Sequence, residues 1–161
     1  MTTSLLLPPA LILILGALVL PFLRGSLRSI ALLGLPLLTL WLIWTLPDGA
    51  QLTWPFLGYE LTIAKVDKLS RLFAIVFSIM AFAGALFALN QPRTFELSAA
   101  FAYAGSAIGA VMAGDLITLF VFWEMMAIGS TLVILCGGKG SEHAAFRYAA
   151  LHLLGGVLLM A

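Results

Sequence analysis

Hydrophobic residues dominate this chain in long runs, and polar residues fall between the runs rather than alternating within them. The apolar stretches cover residues 4–23, 27–46, 69–89, 95–113, 115–135 and 143–161. Each is about 20 residues long, which is what an α-helix needs to cross a hydrocarbon core of about 30 Å. A barrel strand crosses in about ten residues, so the run length predicts helices. The breaks carry turn chemistry: Pro21 and Arg24, Pro47-Asp48-Gly49, Asn90-Gln91-Pro92-Arg93, Gly114-Asp115, and Cys136-Gly137-Gly138-Lys139-Gly140. Asp115 is a natural N-cap for the fifth run. The expectation is an all-α membrane protein of about six transmembrane helices.

Residues 47–68 form the one sizeable polar region. Within it Gln51–Trp54 and Tyr59–Ile63 alternate in character around Pro55-Phe56-Leu57-Gly58. That pattern predicts a short hairpin on the membrane surface, with Trp54 and Tyr59 in the interfacial aromatic belt. If the N-terminus lies outside, the inner side receives Arg24, Arg28, Arg93, Lys139 and Arg147, and the outer side Lys65, Lys68 and Arg71. The positive-inside rule therefore favours an outside N-terminus and an outer loop at 47–68.

Composition sharpens this picture. Only 9% of the 161 residues are charged and 63% are hydrophobic, whereas a soluble domain carries about 25% charged residues. A net charge of +1 offers no basic field for nucleic acid. The single cysteine, Cys136, excludes an intrachain disulfide and a multi-cysteine metal or iron–sulfur site. The N-terminus lacks a basic n-region, so the first run reads as a retained span rather than a signal peptide. His143 and His152 are nine residues apart and point to opposite helix faces, so they cannot share a metal. Phosphate-binding, nucleophile-elbow and dinucleotide-binding motifs are absent from the sequence. No cofactor and no metal are expected on this chain.

Against that background one residue stands out. Glu124 lies about nine residues beyond Asp115, so roughly 13 Å into the fifth span and near the bilayer midplane. An ionisable residue at that depth is a functional-site hypothesis by default. Desolvation favours its neutral form and a nearby cation its charged form, so a carboxyl balanced between the two can take up and release protons. The alternative role is a neutral glutamic acid hydrogen-bonded within the bundle. His152, inside the sixth span, is a candidate proton relay or a buried histidine bonded to a neighbouring helix. In the fourth span Gly105 and Gly109 form a GxxxG pattern suited to close helix packing within a bundle.

Three segments carry a family resemblance. The first runs from Gly114 through the Phe122-Trp123-Glu124-Met125-Met126 element to Ile134. The second is Ala144-Ala145-Phe146-Arg147-Tyr148, leading into His152-Leu153-Leu154-Gly155-Gly156. Both resemble the proton-conducting antiporter subunits. That family includes the D-type subunit of Mrp-type multisubunit cation/proton antiporters. It also includes the antiporter-like membrane subunits of respiratory complex I and of membrane-bound hydrogenases. The third segment, Val66-Asp67-Lys68-Leu69-Ser70, is similar to the family's Asp-Gly-Leu-Ser element, with Lys68 where glycine is usual. The Ser130-Thr131 ending and the histidine-containing element lean towards the Mrp D-like branch.

The resemblance implies the start of an antiporter-like fold of about fourteen spans built from inverted repeats. It implies that Glu124 transfers protons, coupled to a lysine in a later, broken helix. It also implies a translocase subunit without its own redox centre, in a bacterial or archaeal inner or plasma membrane. Its partners would be other membrane subunits, protons, and Na+ or K+. From Tyr148 to Ala161 only about 14 residues remain, short of the ~20 needed to cross the hydrocarbon core. A truncated or split subunit is therefore expected.

Overall fold

The computed structural model describes residues 7–161. Six helices and one hairpin follow in chain order. They are α1 (Ala10–Val19, continued by a 3-10 turn over Leu20–Phe22), α2 (Ser26–Thr45), β1 (Gln51–Phe56), β2 (Tyr59–Lys65), α3 (Lys68–Phe87), α4 (Thr94–Met112), α5 (Leu116–Leu135) and α6 (Ser141–Met160). Helices α2 to α6 are each long and apolar enough to cross a membrane. The chain is an integral membrane protein.

The first span differs from the expectation of residues 4–23. Residues 4–6 lie outside the described part, and the helix starts only at Ala10. Pro9 disfavours helical geometry at Pro8, and neither ring nitrogen can donate. At the other end Pro21 lacks the N–H that would continue the α-helical ladder, and the chain tightens into the turn closed by the Leu23 N–H on the Leu20 carbonyl. The apolar segment Ala10–Phe22 is consequently shorter than the other five.

Helix α4 is the centre of the bundle. Its span is 56% buried against other helices, compared with 11% for α6 at the edge. Small residues make that burial possible. A Cβ added at Gly105 would lie 2.8 Å from the Ile14 Cγ1 and 2.9 Å from the Ala10 carbonyl oxygen of α1. One turn later the Phe122 ring of α5 fills the space a side chain at Gly109 would need. The α5 helix returns the contact, with Gly129 seated against the Tyr103 backbone. The GxxxG pattern thus serves two different neighbours inside one chain.

The hairpin pairs Gln51 with Lys65 through Phe56 with Tyr59. Its two-residue loop has Leu57 at φ 48° and Gly58 at φ 85°, the left-handed pair that a type I′ turn requires. An extra residue in β2 falls at Ile63, between the Leu52–Ala64 and Thr53–Thr62 pairs. Next to this bulge the hairpin is latched to the α4–α5 turn. The Thr62 N–H donates to Asp115 Oδ2 at 2.6 Å, and the Gly114 N–H donates to the Thr62 carbonyl at 2.9 Å. Asp115 also caps α5, accepting from the Thr118 N–H at 2.8 Å and its hydroxyl at 2.9 Å.

Burial pushes the Asp115 carboxyl up, but the donors from Thr118, Thr62 and Ile117 outweigh it and hold the group below its ordinary value. A depressed folded-state pKa contributes stability above the unfolded value, and that contribution is lost as pH falls through the folded one. The latch should therefore weaken below about pH 4. Asp115→Ala should release it at all pH values. Hydrogen exchange of the Thr62 amide checks both outcomes, with protection dropping about tenfold or more in the variant.

The same face carries a second set of ties. Asp67 caps α3 through a reciprocal pair with Ser70 at 2.7 and 2.9 Å. The Ser70 backbone N–H is the leading reason its carboxyl sits below the usual range. Arg71 pairs with Asp48 at 2.9 Å and donates to the Leu46 carbonyl at the end of α2. On the opposite face Arg28 donates to Thr94 Oγ1 at 3.2 Å and to the Gln91 carbonyl at 2.9 Å. There Arg93 also closes onto the Cys136 carbonyl. The antiparallel run of α2 to α6 thus collects the hairpin at one end of the bundle and Arg28, Arg93 and Lys139 at the other.

Candidate functional site

The chemistry concentrates on the seam between α5 and α6. Five buried side-chain polar atoms lack a hydrogen-bond partner among the described residues. Four of them belong to this seam: both carboxylate oxygens of Glu124, Nε1 of Trp123 and Nδ1 of His152. Native structures satisfy nearly all buried polar atoms, and each orphan costs about 1–3 kcal/mol. Such a cluster is unusual for a native interior and singles out the seam as the candidate site.

Helix geometry explains how the groups meet. Glu124 lies just before the middle of α5, and its side chain turns towards α6. There the carboxylate lies against Gly156, with the Phe120 ring beside it. Tyr148, His152 and Gly156 recur every four residues, so they form one stripe on α6. The His152 ring packs between two aromatics. Its centroid is 5.2 Å from the Trp123 ring and 5.4 Å from the Tyr148 ring, both tilted by about 50°.

Glu124 and His152, the two sequence-predicted proton-handling residues, therefore belong to one seam. The carboxylate meets α6 one helical turn, about 6 Å, from the histidine position. No hydrogen bond or ion pair joins Glu124 to His152: both Glu124 oxygens and His152 Nδ1 stay unpartnered among the described residues. His143 is exposed in the first turn of α6 and takes no part. Gly105 and Gly109 lie on α4, away from the carboxylate, where they pack against α1 and α5.

Trp123, Tyr148 and Gly156 were missed as site residues. The signal that could have found two of them is the four-residue spacing 148, 152, 156 on one helix face. Trp123 also borders an apolar groove of about 620 Å³ between α3, α4 and α5, where Gly84, Ala88 and Ala104 leave room. Among the described residues no group of three His, Cys, Asp or Glu converges as a metal site would require.

No known protein-family profile matches the chain. Over 114 residues it is 31% identical to NADH-quinone oxidoreductase subunit 13 of Thermus thermophilus, a match covering 70% of this chain and 22% of the relative. The chain is thus similar to a complex I subunit. It spans about a fifth of that relative's length. The fold is also found in a chain of the membrane-bound sulfane sulfur reductase, an archaeal respiratory membrane complex. That match has a TM-score of 0.73 and 20% identity, and covers 92% of this chain and 34% of the other. The sequence similarity is to a respiratory subunit, and the structural match shows that the fold is shared.

Proposed function

We propose that this chain forms part of a proton-translocating membrane subunit in a respiratory-type complex, with Glu124 as the proton carrier and His152 as its relay partner. The observation that carries the reading is the Glu124 carboxylate, buried near the midplane of a spanning helix with both oxygens unpartnered. Carboxylate and imidazole are side chains that commonly serve as proton acceptors and donors, and the His152 position lies one turn from Gly156, where the carboxylate meets α6. The sequence similarity to a complex I subunit supports the setting. A lysine on a further span, which the family resemblance implies, would supply the charge that drives the proton off again. With the arginine-bearing end inside, the hairpin faces outward.

A second reading is cation/proton exchange of the Mrp D type, favoured by Ser130-Thr131 and by the His152-Leu153-Leu154-Gly155-Gly156 element. Proton uptake in vesicles holding the intact complex separates the two readings. A respiratory pump acidifies them when the electron donor is added, while an exchanger responds to a Na+ or K+ gradient. In either case Glu124→Gln must abolish the proton movement; an unchanged rate would return Glu124 to a packing role.

A further inference from the structure

We infer that Gly156 is a positioning residue: it opens a notch in α6 that seats the Glu124 carboxylate one turn from His152. The inference rests on the proton-carrier reading of Glu124. The local geometry is specific. A Cβ added at Gly156 would overlap Oε1 of Glu124, come within 3.2 Å of its Cδ and lie 3.3 Å from the Phe120 ring. Gly155, its neighbour, would gain a Cβ with nothing within 4 Å. Two adjacent glycines therefore face different surroundings, and only one is held open by the carboxylate.

The notch has a chemical consequence. The backbone N–H groups of a helix interior are spent on their own ladder. A carboxylate laid against a helical glycine therefore meets at most weak Cα–H contacts. It approaches the α6 backbone without gaining a strong donor, which fits its two unpartnered oxygens. Glycine permits the approach because it has no side chain. The seat leaves the carboxyl without a strong donor and holds it one helical turn from the His152 position. Of the titratable groups on helices packed against α5, Tyr148 and His152 of α6 line the same seam, and Tyr103 of α4 lies against Gly129 further along α5. Glu96, Glu142, His143 and Arg147 sit in the first two turns of their helices, away from it.

The test is a cycle in the intact complex, reading proton uptake by vesicles over a range of pH and the thermal stability of the detergent-extracted complex. Gly156→Ala should slow uptake by about tenfold or more, because a misplacement of about 1 Å is that costly for a reacting group. It should also shift the pH midpoint. Gly155→Ala should stay within about twofold of the parent, with its midpoint unchanged. Glu124→Asp withdraws the carboxylate by one methylene, and in that background Gly156→Ala should cost less than about twofold. If Gly156→Ala prevents assembly, the Glu124→Asp change should restore it.

Three results overturn the inference: equal losses from Gly155→Ala and Gly156→Ala, no loss from Gly156→Ala, or the same loss in both the Glu124 and the Glu124→Asp backgrounds. Failure of the proton-carrier reading is a separate outcome, read from Glu124→Gln retaining full uptake. In that case the stability arm of the cycle still decides whether Gly156 seats the carboxylate.

Discussion

Replacing Glu124 with glutamine should stop proton movement while leaving the bundle intact. Glutamine keeps the shape and the length of the side chain but cannot bind and release a proton near neutral pH. The loss should therefore reach about a hundredfold or more, in the range seen when a proton-transfer group is removed. Stability should change little or rise, because the wild-type carboxylate has no buried partner to lose. Assembly and melting temperature then report folding, and vesicle acidification reports function. An equal fall in both would mean that Glu124 is needed for packing instead. His152→Gln should give a smaller loss, since the carboxylate that carries the proton is kept. It should also disturb the tilted aromatic contacts with Trp123 and Tyr148.

The spans were legible in the sequence because a bilayer imposes one strong rule: backbone groups must be satisfied within the segment. Run length and turn residues then placed five helices within two residues of where they fold. The hairpin was legible from alternation around Gly58, whose left-handed geometry the tight turn uses. What alternation could not show was the latch, because the Thr62–Asp115 bond joins residues 53 positions apart. Among the described residues the first span is helical only from Ala10, just after Pro8 and Pro9.

The site divides in the same way. Glu124 announced itself by depth alone, since depth follows from one helix. Its surroundings depend on which face of α5 meets which face of α6, and α5 is too uniformly apolar for its pattern to mark a face. The notch at Gly156 is legible only once the two helices are docked.

The largest stability effect should come from Gly109, at the centre of the bundle. The Phe122 ring occupies the place where a side chain would emerge, and Phe122 is itself buried between α4 and α5. Gly109→Leu would need the ring to leave and the helices to separate. Overpacking of this kind costs typically about 1–3 kcal/mol and more where backbone must move. Helix association in a membrane gains nothing from burying apolar surface away from lipid, so it relies on such close contacts.

The variant should lower the melting temperature of the extracted chain or complex by several degrees, or block its assembly. Shrinking the ring tests the cause. In a Phe122→Ala background the same Gly109→Leu substitution should be tolerated or favourable, because the leucine then fills the space vacated. If the two substitutions add instead, the α4–α5 contact is not the one that decides stability. Gly34→Leu is the control, since a Cβ there meets nothing within 4 Å; its effect should stay near helix propensity, where leucine outperforms glycine by roughly 1 kcal/mol. A sign difference between Gly34 and Gly109 would show that the glycines of this chain are placed by what docks against them, not by the membrane alone.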